Sequence, residues 1–130
     1  DSLSAPLDKI QIIKGWTENG KINEVVYDVI CSDDRKINNR KNKCKETEAS
    51  VNFENCSFDE NFGSDRLEVI WTDTEYTPDQ NTFYYARAIE NPTCRWSTYD
   101  SIRIDEKPAK NYPKITREMA WSSPIWIKNK

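Results

Sequence analysis

Apolar side chains in this chain recur mostly at every second residue, the period of strands. Residues 10–16 form a β-branched run with Ile10, Ile12, Ile13 and Trp16. It leads into Thr17-Glu18-Asn19-Gly20-Lys21. Asn-Gly supplies the two positive-φ residues of a type I′ turn, so a hairpin is predicted, with its return strand over 22–30. In that strand Val25, Tyr27 and Val29 share one face, and Val26, Asp28 and Ile30 share the other. Residues 32–50 are poor in apolar side chains and read as one long excursion pinned at Cys44. Residues 51–58 alternate weakly, as an edge strand does. Residues 66–72 read as a clear strand, with Leu67, Val69 and Trp71 on one face and Glu68 and Thr72 on the other. The best strand is 82–90. There Tyr84, Ala86 and Ala88 line one side, and Phe83, Tyr85, Arg87 and Ile89 line the other.

The remaining third is less regular. Residues 98–104 read as a short helix, with Thr98 or Ser97 as its cap. Residues 105–114 hold Pro108 and Pro113 and read as a loop. Residues 120–127 form a last strand, in which Pro124 demands an edge position or a bulge. The expected fold is all-β: an antiparallel immunoglobulin-like β-sandwich of about six to seven strands, with one short helix near residues 98–104. Its length, 130 residues, fits a single domain over 1–130.

Composition removes much chemistry. The chain has no histidine, which excludes a Ser-His or Cys-His nucleophile within it. No apolar run approaches the length of a membrane span. The first residues, from Asp1 to Pro6, carry neither the basic region nor the apolar core of a signal peptide. Fifteen aromatics among the residues argue against disorder.

Net charge is −3, so no global basic field favours nucleic acid, and none is expected as a partner. The charge is nonetheless unevenly spread. Arg35, Lys36, Arg40, Lys41, Lys43 and Lys45 form a basic loop, a candidate anion or partner site beside the reading as a solvated loop. Residues 54–79 are the reverse, with eight acids and the single base Arg66.

Cys31, Cys44, Cys56 and Cys94 contain no C-x2-C pair, so zinc spacing is absent and two disulfides are expected. Three pairings are open; Cys31–Cys44 with Cys56–Cys94 is preferred. Disulfides place the chain in an oxidising compartment, periplasmic or extracellular. Residues 59–65 set oxygen-bearing side chains at alternate positions, as a calcium loop does. The spacing departs from that motif, with glycine one place early and Ile70 where a bidentate Glu belongs. A plain turn is the simpler reading, and no cofactor or metal is expected in this chain. Among five tryptophans, Trp71 and Trp126 are assigned to the core by their alternation. Trp16, Trp96 and Trp121 fall at strand ends and, with Arg95, form the candidate binding surface; Arg95 and Trp96 make a candidate cation–π pair.

Four ordered segments carry a family resemblance. They are 10–16 (Ile-Gln-Ile-Ile-Lys-Gly-Trp), 26–29 (Val-Tyr-Asp-Val), 83–97 (Phe-Tyr-Tyr-Ala-Arg-Ala-Ile-Glu-Asn-Pro-Thr-Cys-Arg-Trp-Ser) and 117–126 (Arg-Glu-Met-Ala-Trp-Ser-Ser-Pro-Ile-Trp). Together they resemble the C-terminal portion of a bacterial family named only as domain of unknown function 3604. The resemblance implies a larger secreted or envelope protein. Its N-terminal part is similar to PHP-like metal hydrolases, with a His-x-His motif that has no counterpart here. No catalytic residue or metal ligand is therefore implied at any position of this chain. The implied role is a non-catalytic C-terminal β-sandwich partnering the N-terminal catalytic domain of the same protein. The alternative is a secreted module that recognises glycans or a protein through exposed aromatics. If this is the C-terminal fragment of a larger domain, an unpaired sheet edge would also allow homo-oligomers.

Overall fold

The computed structural model describes residues 4–107 and 110–128. β1 (Leu7–Glu18) and β2 (Lys21–Cys31) form the predicted hairpin. Asn19 and Gly20 both take positive φ, 51° and 74°, as a type I′ turn requires. β5 (Thr82–Glu90) pairs antiparallel with the other side of β1. β1 is thus central, and Asp8, Gln11, Ile13 and Lys14 on it are buried.

The last strand predicted over 120–127 is present but divided. β8 (Met119–Trp121) pairs with residues 87–89 of β5, and β9 (Ile125–Ile127) pairs with residues 82–84. Pro124 has no N–H for the ladder, so pairing stops around it. Ser122 bridges the gap. Its amide donates to the Ala86 carbonyl at 2.9 Å, and its hydroxyl accepts the Ala86 amide at 2.9 Å.

Two ribbons flank this sheet: β3 (Ile37–Asn38) with β4 (Lys43–Cys44), and β6 (Thr93–Cys94) with β7 (Ile115–Thr116). The long polar excursion therefore contains the β3–β4 ribbon, closed by the Cys31–Cys44 disulfide. The second disulfide joins Cys56 to Cys94, tying the irregular middle of the chain to β6. The chain is all-β with antiparallel sheets and one short helix, as expected of a sandwich-like domain. Among the described residues only β1, β2 and β5 exceed three residues in length.

Several local expectations are corrected. The helix α1 (Trp96–Arg103) starts two residues earlier than predicted. Neither Thr98 nor Ser97 caps it. Arg95 takes the extended N-cap position, and Thr98 lies in the first turn, its hydroxyl donating to the Lys114 carbonyl at 2.8 Å. Residues 51–58 form no edge strand; a single bridge, Val51 to Phe58, closes a turn there. Residues 66–72 form no strand and pair with none among the described residues, and Val69, expected on one face with the half-buried Leu67 and Trp71, is 42% exposed. They cross one face of the sheet, a layer away from any edge they could join. Trp126, expected in the core, is 64% exposed on β9. In the predicted loop 105–114, Pro108 lies outside the described residues; the described remainder is turn and bend up to Lys114.

A close approach fixes one glycine. The Phe83 ring lies over Gly15, and a Cβ there would stand 2.2 Å from its Cζ. Gly15→Ala is expected to cost about 1–3 kcal/mol by overpacking. In a double-mutant cycle with Phe83→Leu, chemical denaturation should show most of that loss disappearing.

Candidate functional site

Beyond the irregularities at Leu7–Lys9 and Ile10–Gln11, the continuous register of β1, β2 and β5 sorts the central side chains onto two faces. One carries Lys14, Tyr27 and Tyr84; the other carries Ile13, Phe83 and Tyr85. The two are covered in different ways.

Over the first face lies the segment 66–77, which turns at Thr74 and Glu75. The Trp71 ring sits between Tyr27 and Tyr84, with centroids 5.2 and 6.3 Å away. Asp73 pairs with the buried Lys14 ammonium at 2.6 Å and accepts the Tyr84 hydroxyl at 2.6 Å. Tyr27 donates to the Glu75 carboxylate at 2.8 Å, and Lys14 also donates to the Glu75 carbonyl at 3.0 Å. These bonds strap the segment to the sheet.

The second face is covered largely by its own rings. Phe83 stacks parallel to Tyr85 at 6.4 Å and meets Trp126 at 5.0 Å. Trp121, 59% exposed, pairs in register with Arg87. The partners of Trp126 and Trp121 lie four positions apart on β5, about 13 Å along the strand. The result is a flat apolar strip bounded by Arg87. It has no acid–base character, and its capacity is for burial against another surface.

At the end of the sheet nearest the β3–β4 ribbon the side chains turn polar. Gln11 donates to the Asp28 carboxylate at 2.5 Å, Lys9 at 3.0 Å and the Cys44 amide at 2.8 Å. Arg87 donates through two nitrogens to the Gln11 side-chain oxygen, at 2.9 and 2.5 Å. Asp8, the extra residue of a bulge in β1, is clamped by Arg35 and by Arg117 at 2.5 Å.

The sequence-nominated residues are dispersed. Trp16 shares a face with Thr82, opposite to that of Trp121. Trp96 is 70% exposed at the start of α1. Arg95 lies over Tyr112 at 5.8 Å rather than pairing with Trp96. In the basic loop Arg35 points inward to Asp8, whereas Lys36, Arg40, Lys41, Lys43 and Lys45 are exposed. Lys45 lies 3.7 Å from Glu48, and Lys43 lies 3.8 Å from Asp28. In the 59–65 turn, Asp59 accepts the Asn61 amide and side chain at 3.0 and 2.9 Å. Among the described residues no three His, Cys, Asp or Glu side chains converge to hold a metal ion. No described helix is long and apolar enough to cross a membrane. Sequence reasoning missed Trp126, Phe83 and Tyr85 as a joint surface. Their shared face was visible in the alternation, but which face would be covered was not.

Burial alone would raise the Asp28 carboxyl, but hydrogen bonds from the Cys44 amide, Gln11 and Lys9 outweigh it and hold the group below 3.8. Burial likewise opposes ionisation of Asp73, and Lys14 and Tyr84 hold it low. A depressed carboxyl stabilises the fold fully above about pH 4 and less as pH falls below that. Acid unfolding should therefore flatten at its low-pH end in Asp28→Asn. That variant should lose about 3–5 kcal/mol at neutral pH, because its donors stay buried. Tyr27 and Tyr84 are pushed up, first by burial and then by their bonds to Glu75 and Asp73. Their contribution is present below pH 10 and lost as pH rises beyond it. Phenolate absorbance should show two late-titrating tyrosines, and Tyr27→Phe and Tyr84→Phe should each remove one of them.

Comparison with known proteins completes this description. No curated protein and no solved structure matches the chain significantly. The family model described as protein of unknown function (DUF3604) matches residues 1–129. With its sequence matched almost end to end, the chain belongs to the DUF3604 family.

Proposed function

We propose that this chain is a non-catalytic accessory domain of a larger secreted or envelope protein, a PHP-like metal-dependent hydrolase. It packs on the catalytic part of that protein through the aromatic face of β5, β8 and β9. The observation that carries this reading is an aromatic strip in which exposed Trp121 and Trp126 accompany half-buried Phe83 and Tyr85. Contiguous aromatic surface of this kind marks interaction sites, and buried tryptophans dominate such contacts. Two disulfides support an oxidising compartment, periplasmic or extracellular. The β-rich architecture is compatible with an immunoglobulin-like accessory fold.

A second reading has the same indoles stacking on glycans, which the spacing of Trp121 and Trp126 and the exposure of Trp96 favour. The two readings separate by experiment. In the full-length protein, Trp121→Ala and Trp126→Ala should each weaken domain packing by about 2 kcal/mol. This is read as faster amide exchange over β8 and β9, with metal-dependent hydrolysis by the parent and none by this chain. A glycan-array signal from the chain alone, lost in Trp121→Ala or Trp96→Ala, would replace the first reading by the second.

A further inference from the structure

At the turn end of the first face, the β1–β2 hairpin and residues 75–80 line a cleft of about 280 Å³. Lys14, Trp16 and Glu18 alternate along β1, so all three share this face, and Tyr27 joins them from β2. Glu75, Thr77 and Gln80 line the other side. A turn shapes that side: Pro78 presets the backbone, and the Gln80 amide donates to the Thr77 carbonyl at 3.1 Å. The two sides are tied together beforehand. Tyr27 donates to the Glu75 carboxylate at 2.8 Å, and Lys14 donates to the Glu75 carbonyl at 3.0 Å. A ligand therefore meets a formed site rather than a loop that it must order.

The charges around the cleft select its occupant. The Lys14 ammonium, 4% exposed, stands 5.5 Å from the centre of the Trp16 ring. The seat that an ammonium ligand would take on that indole is thus filled by the chain's own cation. An anionic ligand would meet the exposed Glu18 and Glu75 instead. A neutral ligand remains, and the polar groups call for one that both donates and accepts. Among the described residues, the Glu18 carboxylate has one protein donor, the Gln80 side-chain amide at a long 3.5 Å. The Glu75 carboxylate likewise has one, the Tyr27 hydroxyl. Both carboxylates can take further donors, while the Gln80 amide and the Thr77 hydroxyl can give. Such groups beside a half-buried indole complement a sugar ring, whose hydroxyls donate and accept and whose C–H face is apolar. At 280 Å³ the cleft lies at the small end of ligand sites, which begin near about 300 Å³, so it takes one ring.

We infer that this cleft binds a single uncharged pyranose unit. The apolar face of the sugar packs on Trp16, and its hydroxyls bridge Glu18 to Gln80 and reach Glu75 and Thr77. The site lies on the face opposite to Trp121, so the inference goes beyond the proposed packing role and does not depend on it.

The test titrates the whole chain, followed by NMR, with methyl glucoside, methyl mannoside, methyl galactoside and N-acetylglucosamine. Each is taken to about 50 mM, a range that covers millimolar binding. Tetramethylammonium and glucuronate are the charged controls. At least one neutral sugar should shift the Trp16 indole N–H and the Gln80 side-chain amide saturably, and both charged probes should bind more weakly than it does. Glu18→Ala, an exposed substitution, should weaken that sugar by about tenfold, the scale of a hydrogen bond to a charged group. Trp16→Ala should weaken it further, Trp16→Phe should restore part of the loss, and Trp121→Ala should leave it unchanged. The inference is overturned if none of the sugars shifts Trp16 saturably, or if their shifts are confined to Trp121 and Trp126. Tighter binding of tetramethylammonium would also overturn it, by making the cleft a cation site. So would unchanged sugar binding in Glu18→Ala with the β1 and β2 shifts preserved.

Discussion

Asp28 sits on β2 with its carboxylate withdrawn from water, in a place where an uncompensated charge would cost several kcal/mol. It is tolerated because every neighbour is a donor: the Lys9 ammonium, the Gln11 amide and the Cys44 backbone N–H. Each donor comes from a different constraint. Lys9 and Gln11 fix β1 against β2. Gln11 passes the connection to Arg87 on β5. Cys44 brings in β4 and, through its disulfide, returns to the end of β2. One carboxylate thus coordinates three strands of the sheet and the ribbon beside it. Asp8 repeats the arrangement nearby, joining β1 to Arg35 and Arg117. A small sheet with few buried aliphatic side chains (Ile13, Val29 and Ile89) takes its register from such directional bonds.

The two faces of the sheet then diverge. On one, Lys14 and two tyrosines hold a crossing segment by its acids and its tryptophan. On the other, aromatic rings cover β1 without a second layer, and Trp121 and Trp126 stay in water. That asymmetry is the observation on which the proposed packing role rests: polar contacts are concentrated on one side, and exposed indoles on the other.

What the sequence revealed depended on how local the cause was. The hairpin was legible because Asn19 and Gly20 carry the turn geometry in their own backbones. The strand at 82–90 was legible because its alternation is strong, and the break at Pro124 because proline lacks an N–H. The disulfide pairing was only a preference until Cys31 and Cys44 were seen to close the ribbon. Residues 66–72 misled because their alternation matched neither a paired backbone nor a uniform inner face: Leu67 and Trp71 are half-buried, but Val69 is exposed. Trp126 misled for a related reason: a strand at an edge has an inner face only if something lies over it. Arg35 read as one of six loop cations, and nothing nearby in sequence shows that it reaches back to Asp8.

The order of strands also governs the tempo of folding. The β1–β2 hairpin closes over a two-residue turn, and Cys31–Cys44 locks its end with little chain between. β5 is different: Ile13 must find Tyr85 across most of the intervening chain, with loop-closure entropy opposing every attempt. Contacts this distant in sequence make slow folders. The Cys31–Cys44 disulfide closes a separation of only 13 residues, so once formed it holds the end of the hairpin at far less entropic cost than the pairing of β1 with β5 requires.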